Sequence, residues 1–302
     1  HLEHRRQRQM CIRDRINVVS RALEEKTMDK SDNELDIFLL PNIRSSTLRG
    51  KSFLFDNKKI KILASNDTQV SFDNSERIIN FILASDNSWA LISDSFIENI
   101  QISVNGIKNQ NSNSDIPKER INENGLTACL NIFNSNISKS RIYSNTGLLR
   151  CEDAVNIISS KGYINEIKIE NSFADALDID FSEIDIMNLE IKNAGNDCVD
   201  FSSGDYHINS AILYKCGDKG LSIGEKSFFN ANTIRILSSQ IGVSSKDSSK
   251  SSIDQLFIDM TPLCSEVFQK KQEFTGSFLV IKSIKCDSNS YNVDKNSVLK
   301  IL

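Results

Sequence analysis

Asp197 follows Asp175 by the same interval as Asp200 follows Asp178, and Lys219 follows Asp197 by that interval again, 22 residues each time. Such spacing stacks like residues if the chain folds as a repeat. Two stacked carboxylates ~4.8 Å apart repel by about 1 kcal/mol in water-like surroundings, and by about 3.5 kcal/mol at an effective dielectric of about 20. Three things could offset that repulsion. A Ca²⁺ ion would take Asp175, Asp178, Asp197 and Asp200 as oxygen ligands. Lys219 would pair with Asp197. A raised pKa would keep one carboxyl protonated, which is how acid–base sites are built. Asp175, Asp197, Lys219 and Lys246 are therefore the candidate catalytic residues. Asp178, Asp180, Asp200, Glu225 and Lys270 are the candidate ligand contacts. The plain alternative is that Asp175 and Asp197 close turns through side-chain-to-backbone bonds. Lys219 would then only neutralise Asp197.

The elements that must position these residues repeat. Segments starting at Asp153, Asp175, Asp197, Lys219 and Ile241 read DAVNI, DALDI, DCVDF, KGLSI and IGVSS. Each start follows the last by the same interval, and the period is one typical of solenoids. Side chains alternate along a strand. One set gives an apolar column of Val155, Leu177, Val199, Leu221 and Val243, with Ile157, Ile179, Phe201 and Ile223 beside it. Long apolar faces at helical spacing are missing. The fold class is therefore all-β, a parallel β-helix with coils of about 22 residues. The alternate set is polar: Asn156, Asp178, Asp200, Ser222 and Ser244, with Asp180, Ser202, Gly224 and Lys246. It is expected to face outward. A small column of Ala154, Ala176, Cys198, Gly220 and Gly242 is expected to complete an open floor for an extended ligand. Lys270, further along the chain, is expected to stack with Lys246.

Residues 1–15, HLEHRRQRQMCIRDR, are basic and patternless, and MCIRDR matches a translated sequencing-adapter end, so they are treated as an artefact. Residues 16–50 are assigned to a cap or the remnant of an upstream domain lost by truncation. Residues 51–302 form the β-helix, opening with irregular strands such as SFLF, KIKILAS and INFILAS. A polar loop is inserted near residues 107–124. Asn171 and Asn193 are read as a turn ladder, and His207 as structural. Cys129, Cys151, Cys198, Cys216, Cys264 and Cys286 form no CxxC pair and are read as small core residues rather than disulfides.

The chain has 302 residues and a formal net charge of −4. No basic block supports nucleic-acid binding. No apolar run is long enough to span a membrane. Neither GxxxxGK[ST] nor GxGxxG occurs, so nucleotide binding is unsupported.

The repeat resembles the pectin-lyase-like superfamily, and the resemblance implies a right-handed parallel β-helix. FADALDI (173–179), NDCVDF (196–201), DKGLSIG (218–224) and SSK (244–246) resemble the successive NTD, DDC, GHGxSIG and RIK motifs of polygalacturonase-type glycoside hydrolases. The resemblance covers about four coils. It places the family's two water-activating aspartates on Asp175 and Asp197, and its lysine on Lys246. Its general acid falls on Asn196, its histidine on Lys219 and its arginine on Ser244. The wider stretch also resembles uncharacterised bacterial β-helix proteins that accompany spore-coat-kinase-like domains. The resemblance implies a polysaccharide partner and an extracellular or cell-surface setting. An enzyme would be a lyase using a lysine base and Ca²⁺, or a hydrolase with Asp178 or Asp200 as the acid. The alternative is a non-catalytic structural or adhesive module.

Overall fold

The structure is a computed structural model that describes residues 50–107, 120–122, 124–147 and 149–302. The assignments made for residues 1–49 lie outside the described residues, as does most of the expected 107–124 loop.

The described residues begin with two hairpins. β1 (Lys51–Phe55) pairs antiparallel with β2 (Ile60–Ala64), and β3 (Thr68–Asp73) pairs antiparallel with β4 (Ile78–Leu83). Three short strands follow: β5 (Ala90–Ser93), β6 (Phe96–Glu98) and β7 (Gln101–Gly106). The regular coils then alternate a short strand with a long one. They are β8 (Ala128–Phe133) and β9 (Asn136–Asn145), β10 (Asp153–Ile158) and β11 (Lys161–Ser172), and β12 (Asp175–Asp180) and β13 (Glu183–Ala194). Next come β14 (Val199–Ser202) and β15 (Asp205–Cys216), then β16 (Lys219–Gly224) and β17 (Phe228–Leu237). β18 (Ile241–Lys246), β19 (Lys250–Asp259), β20 (Leu263–Phe268) and β21 (Phe278–Cys286) continue the pattern. β22 (Tyr291–Val293) and β23 (Val298–Ile301) follow. Among the described residues there is no helix.

The short strands form one sheet and the long strands another, in the order that a parallel β-solenoid requires. The stacking follows the sequence period: Val155 sits beside Leu177, Leu177 beside Val199, Val199 beside Leu221 and Leu221 beside Val243. These side chains are fully buried. The N-terminal departure is antiparallel pairing: each sheet ends in a hairpin rather than a coil.

Serines join the coils at the corners before β6, β9, β11 and β13. The N–H of Ser95 donates to Ser135 Oγ at 3.2 Å, that of Ser135 to Ser160 Oγ at 3.0 Å and that of Ser160 to Ser182 Oγ at 3.0 Å. The residue before each serine is left-handed: Asp94, Asn134, Ser159 and Phe181 have φ of 47°, 46°, 49° and 50°. The expected asparagine ladder is also present. Asn193 Nδ2 donates to Asn171 Oδ1 at 3.0 Å, and both residues have a φ of 59°.

Two expectations are corrected. Five of the cysteines are core residues and Cys286 packs half-buried against the core, but all six are also bonded: Cys129–Cys151, Cys198–Cys216 and Cys264–Cys286. Cys198 and Cys264 each lie near the start of a short strand and bond to the end of the long strand that follows, and all three bridges hold their Cα atoms 5.2–6.1 Å apart, within disulfide reach. The small column also faces the core, not a floor. A Cβ on Gly220 would meet Ile236 Cγ2 at 2.7 Å, and one on Gly242 would meet Ile258 Cδ1 at 2.5 Å. These positions are small because isoleucines of the long strands fill the space.

Candidate functional site

Asp175 opens β12 and Asp197 precedes β14. Each is 1% exposed. Asp175 Oδ1 accepts the backbone N–H of Asp197 at 2.9 Å and the Asn196 side-chain amide at 2.6 Å. Asp197 Oδ1 accepts the backbone N–H of Lys219 at 3.1 Å and lies 3.4 Å from Lys219 Nζ. Each carboxylate thus ties its own coil to the next, the turn-closing role that aspartate performs well. Lys219 Nζ also pairs with Asp218.

The electrostatics follow from burial. Burial, then the charges of Asp197, Asp153 and Asp200, push the Asp175 carboxyl up to about 7. Asp197 is raised by burial as well, although Lys219 and Lys246 pull against it. Burial lowers the Lys219 ammonium, but Asp197 and Asp218 outweigh it and hold the group above its usual range. A lysine held above its usual range is a poor general base near neutral pH.

The polar column alternates with the apolar one, so it points away from the core as expected. It is not an open floor. Asp178, Asp180 and Asp200 are buried, and Ser222 and Ser244 are fully so. Lys246 is 1% exposed; its Nζ donates to Ser222 Oγ and sits 3.6 Å from Asp200 Oδ1. Gly224 leaves room for the lysine stem, since a Cβ there would meet Lys246 Cε at 2.9 Å. Asp178, Asp180, Asp200 and Lys246 all have partners. The floor fails for a physical reason: a carboxylate surface stacked at coil spacing is neutralised and covered rather than left bare.

Asp175, Asp197, Asp200, Lys219 and Lys246 therefore form one electrostatic cluster. Glu225 and Lys270 do not join it. Glu225 is buried, pairs with Lys271 and accepts from Ser202 Oγ at 2.5 Å. Lys270 does not stack on Lys246, whose neighbour in register is Phe268. The Lys270 side chain is exposed, and its backbone N–H donates to Asp247 Oδ1 at 2.7 Å. The loop after β20 carries the lysine out of register. Among the described residues no three His, Cys, Asp or Glu side chains converge as a metal-binding group.

Sequence reasoning missed Lys271, the ion-pair partner of Glu225. It also missed Tyr206, whose buried hydroxyl donates to Ser202 O at 2.7 Å. Burial, reinforced by Asp180, pushes that phenol far above the usual tyrosine range. Asp153, which adds to the field at Asp175, was visible as the first residue of the first repeat.

No family model, no curated protein and no solved structure matches the chain.

Proposed function

We propose that this chain is a non-catalytic structural or adhesive module of the extracellular space or cell surface. One observation carries the proposal. The two aspartates best placed for chemistry, Asp175 and Asp197, both use Oδ1 to hold the backbone N–H of the next coil. A carboxylate fixed in this way is 1% exposed and does not reach a ligand in solvent. Asn196, at the position of the general acid, donates its amide to Asp175. Three disulfides suit an oxidising compartment.

A second function has one observation in its favour. A carboxyl raised to about 7 is poised for acid–base work, which favours polysaccharide processing at the Asp175 cluster. Incubation with polygalacturonate, pectate and alginate, with and without Ca²⁺, separates the two. The module gives no new reducing ends and no ultraviolet absorbance from an unsaturated product. Product formation that Asp175→Asn abolishes would overturn the module and establish the enzyme.

A further inference from the structure

Between β11 and β19 the regular step breaks at one corner of the solenoid. The long strands start at Lys161, Glu183 and Asp205, in step with the repeat, but the next start, Phe228, comes one position late. The extra residue lies in the turn. Ser159, Phe181 and Ser203 are single left-handed residues, whereas Glu225 and Lys226 are both left-handed. The serine ladder lapses in the same place. Gly204 occupies the serine position, and Tyr206 Oη, 3.4 Å from Ser182 N, takes the N–H in its stead. No larger residue fits at 204, since a Cβ there would collide with the backbone oxygen of Ser182.

The break opens a cleft of about 420 Å³. Phe181 and Phe228 supply its rings, and Glu183, Asp205 and Glu225 its carboxylates. Two features of these walls cost stability. Phe228 is 51% exposed. Phe181 has a φ of 50°, a region that bulky residues rarely adopt. Strained backbone of this kind collects at functional sites, and small-molecule clefts are lined mainly by apolar and aromatic side chains with a few polar groups. Lys250 Nζ, 5.5 Å from the Phe228 ring centroid, steadies that ring. The lining cation, Lys226, lies 5.7 Å from the Phe274 ring centroid.

We propose that this cleft binds one pyranose unit of a glycan, neutral or amino-bearing but without a carboxylate. An aromatic face packs against the C–H face of a sugar. Glu183 and Asp205, exposed and adjacent in register, accept hydrogen bonds from its hydroxyls or its ammonium. The same carboxylates repel a uronic acid. The inference deepens the adhesive module and rests on it for the choice of a glycan.

Calorimetric titration with chitosan oligosaccharide, a neutral gluco-oligosaccharide and oligogalacturonate tests it. Chitosan oligosaccharide or the neutral sugar binds, and oligogalacturonate binds about tenfold more weakly or not at all. Phe228→Ala lowers affinity by about tenfold with an unchanged melting temperature. Asp205→Asn narrows the discrimination against oligogalacturonate. A preference for oligogalacturonate, an unaffected Phe228→Ala variant or no binding of any of the three overturns the cleft. Product released from a glycan would overturn the non-catalytic module instead, and the cleft would stand if Phe228→Ala still lost binding.

Discussion

Asp175 shows what a residue's column does and does not reveal. Its repeat relation to Asp197 is plain in the sequence, and so is the crowding of charge. Which atom each oxygen meets is not. The consequence can be measured. The folded carboxyl sits at about 7 against 3.8 for an ordinary aspartate. Between those values the folded state keeps a proton that the unfolded chain has lost, so stability is present below that window and falls as pH rises through it. The protein should melt at a higher temperature near about pH 5 than near about pH 8. Asp175→Asn should flatten the difference and stabilise the protein at the higher pH, by at most about 4 kcal/mol. Parallel profiles for the two proteins would show that Asp175 does not titrate in this way. Tyr206 makes the complementary point. Tyr206→Phe keeps the ring beside Phe201, 4.6 Å away, but removes the hydroxyl from three backbone groups. The expected cost is about 1–3 kcal/mol, read from the denaturant midpoint.

Among the elements, the short strands follow their sequence pattern closely. Their inward residues are apolar at every second position, and a parallel ladder in register is the arrangement that buries them all. The corners are less legible. The asparagine ladder shows because it repeats in step with the coils, but the serine ladder drifts through steps of 40, 25 and 22. The disulfides are no more legible. Ala128 pairs with Asp153 and Ser265 with Tyr291, so Cys129–Cys151 and Cys264–Cys286, each 22 residues apart, are out of register; Cys264–Cys286 and Cys198–Cys216, the latter spanning 18 residues, each join the start of a short strand to the end of the long strand that follows. Replacing Cys198 and Cys216 together by serine should cost about 2–4 kcal/mol, seen as a lowered melting temperature that reductant no longer changes at that bond. An unchanged melting temperature would mean that packing alone holds this corner.

The whole molecule is a stack in which each coil rests mainly on its neighbours, so stability varies along the axis. The middle coils are covered on both sides. The last strands are short, and Val298 and Ile301 are 48% and 44% exposed. Amide hydrogen exchange should therefore be fastest in β22 and β23 and slowest in β12 to β16, where global unfolding is needed. Uniform protection along the chain would argue for a single cooperative unit instead.

The solenoid, the length of its coil and the membership of its columns are legible in the periodicity of the chain alone. Periodicity is a local property, and identical steps force identical neighbours. The inward face of the small column, the bonding of the cysteines and the covering of the carboxylate column emerge once the coils are stacked. Those outcomes depend on what the long strands and the corners bring against the short strands. The cleft at Phe181 and Phe228 belongs to the second group too. It arises from one extra residue at a corner and one glycine on the coil before, a mismatch that becomes a cavity only when the coils are stacked.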